Sequence, residues 1–140
     1  METESYMMVP VVPGGRTREG GVDCWGAVVL IYAEKLHIEL PVYEDVNWKD
    51  SAAVWVAIAE NEKASWREVA PADRAEYDVV LLRIKGIPWH VGVLVDRNRF
   101  LHADPMRGMC VERLESVHWR SRIVGYHRLK GDNNAVPPAA

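Results

Sequence analysis

The apolar residues change rhythm partway along this chain, and the change separates two kinds of structure. From Asp23 to about His37 the pattern predicts a helix in which Ala27, Val28, Val29, Leu30, Ile31 and Tyr32 are apolar around nearly the whole circumference. Such a helix has no face to offer water and must be buried on most sides. Asp23 is a suitable N-cap, because its short carboxylate can accept from the free amides of the first turn. Ala53, Val54, Ala57 and Ile58 fall at helical spacing and predict a second helix from about Ser51 to Glu62.

After an expected loop at Pro41 to Asp45 and an irregular stretch from Trp66 to Ala75, short β-branched runs take over. Tyr77 to Ile84, Trp89 to Val95, Arg99 to Ala103, Met109 to Glu112 and Ile123 to Leu129 all read as strands. Helices first and a run of antiparallel strands after them is an α+β pattern. Residues 1–22 read as an extended lead-in with turns at Pro13-Gly14-Gly15 and Gly20-Gly21, residues 23–130 as the working domain, and residues 131–140 as a mobile tail.

Composition narrows the function classes. The 140 residues are 49% hydrophobic and 26% charged, with net charge −3, so one ordinary globular domain is expected and a broad nucleic-acid-binding surface is not. The pairs Arg16/Arg18, Arg97/Arg99 and Arg120/Arg122 read as solvated positions. No run approaches the roughly 18 apolar residues of a membrane span. METESYMMVP lacks the charged and apolar regions of a signal peptide, so synthesis in the cytoplasm with both thiols reduced is the expectation. Six Trp and five Tyr against one Phe suit half-buried clefts and contact surfaces, and equally the filling of a small core.

Chemistry enters at Cys24. It stands at the first turn of the buried helix, where free amides and the helix dipole favour a thiolate. A lone cysteine is also an ordinary small core residue. His90 and His102 bear on the choice, because a nucleophilic thiol needs a base and the base needs an orienting group. The two bracket a strand–turn–strand segment whose turn is Asp96-Arg97-Asn98. If Val95 pairs with Arg99, Gly92 lies opposite His102, both rings share one face, and Val91, Val93, Leu101 and Ala103 form the other. If Val95 pairs with Phe100, the rings point opposite ways. The first register separates apolar from polar more cleanly and is preferred. A zinc site from Cys24, His90 and His102 fits by ligand type, but the short paired spacing of such sites is missing. His37, His118 and His127 read as ordinary structural residues, and Cys110 as an inert strand residue.

Three stretches resemble the NlpC-type cysteine peptidases of bacterial cell walls. They are Gly20-Gly21-Val22-Asp23-Cys24-Trp25-Gly26, Asp78-Val79-Val80-Leu81-Leu82, and His90-Val91-Gly92-Val93 through Phe100-Leu101-His102-Ala103. Trp25 and the ending Arg122-Ile123-Val124-Gly125-Tyr126-His127-Arg128 are similar to the branch encoded among phage and prophage tail genes. The resemblance implies a papain-like α+β fold, N-terminal helices packed on an antiparallel sheet. It also implies hydrolysis of an amide in the peptide stem of peptidoglycan, typically between γ-D-glutamate and a diamino acid. Cys24 would be the nucleophile, His90 the base and His102 the orienting group, with no metal or cofactor. Asp23, Trp25 and Trp89 are candidate substrate contacts beside them.

A tail-associated protein would have stem peptides and other tail-tip proteins as partners, and would reach the wall by assembly into a phage or phage-like tail. Two other readings use the same scaffold: a tail-tip structural component with weak or no activity, and a thiol acyltransferase. The sequence departs from the family pattern at Glu76-Tyr77, where Pro-Gly is usual, and at Trp25, where Ser is common. It departs also at Val12, where a cleft-lining Tyr often stands, for which Tyr6 is a candidate replacement.

Overall fold

The computed structural model describes residues 1–42, 65–84 and 87–130, with the side chains of residues 87–89 excepted. The expected helix at Ser51–Glu62, most of the Pro41–Asp45 loop and the tail 131–140 lie outside the described residues.

A short ribbon of β1 (Arg16–Thr17) and β2 (Gly21–Val22) leads into α1 (Cys24–Ile31). Asp23 caps α1 as expected: its carboxylate accepts from the amide of Gly26 at 2.8 Å. The helix continues as a π-helical turn over Tyr32–Leu36 and stops at His37, whose left-handed backbone (φ 56°) turns the chain away. Every residue of α1 from Trp25 to Ile31 is buried.

Among the described residues, six antiparallel strands form the sheet: β3 (Trp66–Val69), β4 (Val79–Ile84), β5 (Ile87–Leu94), β6 (Arg99–Asp104), β7 (Gly108–Arg113) and β8 (Ile123–Leu129). Their order across the sheet is β3-β8-β4-β5-β6-β7. The architecture is the papain-like α+β class. Strand β3 corrects the irregular reading of Trp66 to Ala75. It is an edge strand on β8, and Arg67 and Glu68 face water, so its four residues carry too little apolar alternation to be seen in the sequence.

The lead-in belongs to the core. Tyr6, Val9 and Val22 are buried with α1 against Val79, Leu81, Val91, Val93, Leu101 and Ala103 of the sheet. Tyr6 is fully buried with its hydroxyl donating to Glu34 at 3.0 Å, so it does not line a cleft in place of Val12. Arg16 is not solvated either; its guanidinium is largely buried against Asp23 at 2.6 Å.

The opposite sheet face carries a second core of Val69, Val80, Leu82, Leu94, Phe100 and Tyr126, closed by Leu114 and Trp119 from the β7–β8 connection. A buried ion pair ties this layer together: Arg128 donates to Asp78 at 2.7 and 2.8 Å, and the Ala75 amide donates to the same carboxylate at 2.8 Å. Among the described residues no helix is long and apolar enough to cross a membrane.

Candidate active site

The β5–β6 hairpin adopts the preferred register. Val93 pairs with Leu101 and Leu94 with Phe100, and the Val95 amide donates to the Arg99 carbonyl at 2.8 Å across the three-residue turn. Both imidazoles therefore project from one face. His90 Nε2 lies 2.8 Å from His102 Nδ1, with the rings nearly perpendicular at 83°. Gly92 makes this possible. A Cβ there would come within 2.9 Å of the Phe100 ring and 3.2 Å of His102 Cβ, closing the space the second ring uses.

His102 is held from its other side. Its Nε2 lies 2.6 Å from Glu112 Oε2 on β7, and Arg107 donates to the same oxygen at 2.6 Å. Trp119, buried to 1% exposure, covers the pair. Its indole is stacked against His90 at 6.4 Å between centroids and meets His102 edge-on at 5.3 Å. Trp119 Nε1 leans toward Glu112 without forming a full hydrogen bond.

Sequence reasoning missed Glu112 and Trp119. Glu112 was accessible from the pattern: once Asp104–Gly108 is taken as a turn, His102 pairs with Cys110 and Glu112 falls diagonal to His102 on the same face. Trp119 was not, because it reaches the site from an irregular connection with no periodicity.

Burial dominates the electrostatics. It drives the His90 imidazole down to about 3, with the neighbouring His102 adding to the effect. His102 is also lowered, burial outweighing the pull of Glu112 and Asp104. For Glu112, burial pushes the carboxyl up, but Trp119, His102 and Arg107 outweigh it and the net direction is down.

Cys24 tops α1 as anticipated; the residue keeps some exposure while its thiol is enclosed. The helix start favours a thiolate, whereas here burial and the Asp23 charge push the thiol up to about 12. Amides of Val91 and Trp25 and the charge of Arg16 work against that shift without overcoming it.

Strand alternation places the two rings on the face away from α1, while Cys24 packs on the α1 side. The sulfur approaches the Val91 amide, next in the chain to His90. No hydrogen bond among the described residues joins the sulfur to either ring.

The candidate substrate contacts fare differently. Asp23 spends its carboxylate on Gly14, Gly26 and Arg16. Trp25 is 2% exposed, its indole donating to the Pro41 carbonyl at 2.8 Å, which makes it a core residue. Trp89 lies on β5, and its side chain is outside the described residues. Cys110 is half-buried opposite His102, its thiol 3.2 Å from the Gly108 carbonyl. His102, Asp104, Cys110 and Glu112 present ligand-type atoms all within 4.8 Å of one another. Arg107 already places its positive charge on both carboxylates of that group.

A helix bearing a cysteine at its tip, packed on an antiparallel sheet that carries a buried histidine pair, places the chain in the papain-like α+β class. Within that class, the chain belongs to the NlpC/P60 family, whose sequence pattern matches residues 9–128. It is 29% identical over 136 residues to the gamma-DL-glutamyl hydrolase of Bacillus subtilis, covering 97% of this chain and 29% of that protein. It is 26% identical over 111 residues to the murein DD-endopeptidase MepS/murein LD-carboxypeptidase of Escherichia coli, covering 78% of this chain and 50% of that one. With the probable endopeptidase NlpC of Escherichia coli the figures are 28% over 122 residues, covering 87% and 70%. The chain thus spans half or less of the first two relatives.

Among solved structures, an NLP/P60-family, lipoprotein-like protein of Staphylococcus aureus superposes with a TM-score of 0.65 at 23% identity, covering 91% of this chain and 38% of that one. The NlpC/p60 domain of the peptidoglycan hydrolase SagA superposes with a TM-score of 0.54 at 17% identity, covering 79% and 82%. These likenesses concern the fold.

Proposed function

We propose that this protein is a cysteine peptidase that hydrolyses the peptide stem of peptidoglycan at a γ-D-glutamyl–diamino acid bond, with Cys24 as nucleophile, His90 as base and His102 as orienting group. The observation that carries the reading is the 2.8 Å His90–His102 contact on the strand whose next amide faces the Cys24 sulfur. The activities of the relatives, gamma-DL-glutamyl hydrolysis and murein endopeptidase cleavage, support the substrate class.

Because Cys24 and His90 both rest neutral, proton transfer accompanies attack. The Cys24 proton passes to His90 Nδ1 as the sulfur bonds to the scissile carbonyl carbon, and the carbonyl electron pair moves onto oxygen. The Cys24 amide, at the helix start, helps hold that oxyanion. Collapse expels the amine, which takes its proton from His90. Water then attacks the thioester, His90 receives the water's proton, and Cys24 leaves as a thiol.

The test is mass spectrometry of muropeptides after digestion of purified peptidoglycan. New stem-peptide ends with the native chain and none with Cys24→Ala are expected; digestion by Cys24→Ala refutes the nucleophile. Assembly into a phage or phage-like tail, alongside other tail-tip proteins, is a further part of the proposal. It rests on the resemblance at Trp25 and residues 122–128 and is checked by looking for the chain in purified particles.

A further inference from the structure

The base that attacks Cys24 must offer a bare nitrogen, and a neutral imidazole has one nitrogen bare and one protonated. Which is which depends on the partners. A carboxylate only accepts, so Glu112 Oε2, 2.6 Å from His102 Nε2, requires the proton on that nitrogen. A neutral His102 then has a bare Nδ1. That atom lies 2.8 Å from His90 Nε2, which must donate, and His90 Nδ1 is left bare. Each assignment forces the next.

We propose that Glu112 is a positioning residue for the reaction, fixing the proton on His102 and, through it, baring His90 Nδ1 to accept the Cys24 proton. The inference rests on the Cys24–His90 reading above and adds a fourth member to it. Arg107 shapes the same device. Its guanidinium and the His102 N–H converge on the single oxygen Oε2, and a second contact from Arg107 to Asp104 at 3.1 Å anchors it. The carboxylate therefore cannot turn away without leaving the His102 N–H unpaired and Arg107 with Asp104 alone. If the carboxylate were absent, the Arg107 donors would face His102 Nε2 and favour the opposite tautomer. His102 Nδ1–H would then donate to His90 Nε2, the proton of His90 would sit on Nδ1, and no base would face the thiol.

Nitrogen-15 NMR of the imidazoles near neutral pH reads the tautomers directly. For the native chain, His102 protonated on Nε2 and His90 protonated on Nε2 are expected; His102 protonated on Nδ1 overturns the proposal without any variant. Glu112→Met removes the acceptor at similar length and should move both protons to Nδ1. It should also lower kcat on a soluble disaccharide–tetrapeptide muropeptide by roughly tenfold or more, with KM within about twofold. Glu112→Gln should restore the native tautomers and most of kcat, since both converging donors select its amide oxygen. Native tautomers and native kcat in Glu112→Met overturn the proposal. Turnover by Cys24→Ala would instead sink the catalytic reading, and the NMR result would still decide the proton arrangement.

Discussion

His90 and His102 meet through opposite ring nitrogens, Nε2 of one against Nδ1 of the other, at 2.8 Å across a hairpin whose turn is three residues long. On the proposed mechanism, the contact leaves Nδ1 of His90 for the thiol proton and gives His102 a supporting part. Replacing His90 by Ala should cost roughly 10²–10⁴ in kcat, the usual contribution of a general base. His102→Ala should leave more residual rate. Steady-state kinetics on a muropeptide decide the order, and the reverse ranking would exchange the two roles.

The shift at Cys24 predicts sluggish alkylation. With the thiol pushed up to about 12, iodoacetamide at neutral pH should modify Cys24 more slowly than free cysteine, and the rate should climb with pH. Cys110→Ala isolates the signal and should keep native turnover. Rapid labelling of Cys24 at pH 7 would show that the helix terminus prevails over burial.

Acid should destabilise the fold by way of the same histidine. Unfolded, His90 titrates near 6.5; folded, it is depressed to about 3. The unfolded state thus binds the extra proton first. Stability is full above about pH 6.5 and declines as pH falls toward 3. Urea midpoints measured across that window should drop, and His90→Gln should flatten the decline.

Gly92→Ala tests how tightly the histidine pair is packed. The added methyl would stand 2.9 Å from the Phe100 ring and 3.1 Å from the Leu101 carbonyl oxygen, and the latter cannot move without the strand. A loss of about 1–3 kcal/mol is expected, the range for overpacking a core, together with reduced kcat. Unchanged melting and turnover would mean that the hairpin absorbs the methyl.

Asp78 is 2% exposed and its carboxylate is claimed by Arg128 and the Ala75 amide. Asp78→Ala removes the acceptor of the Ala75 amide and the carboxylate partner of Arg128, which is a quarter exposed and keeps the Asp73 carbonyl, so a loss of about 1–3 kcal/mol by chemical denaturation is expected.

Much of this was legible in the sequence. The all-apolar circumference of α1, the N-cap and the five strands after Tyr77 follow from local chemistry, and the hairpin register followed from keeping Val91, Val93, Leu101 and Ala103 on one side. What escaped depends on tertiary context. The edge strand Trp66–Val69 exists because β8 offers it hydrogen bonds. Arg16 is buried because Asp23 meets it, Tyr6 because Glu34 does. The thiol at Cys24 is governed by desolvation, which no spacing reveals, and Trp119 reaches the rings from a loop.

Because α1 has no polar side, it has nothing to rotate or slide toward. The azimuth and depth of its sulfur are fixed by the same contacts that hold the domain together. A sulfur so held, in its proposed role as nucleophile, cannot be mislaid by degrees: on heating, competence and native structure should disappear in one step, with no inactive yet folded interval between them.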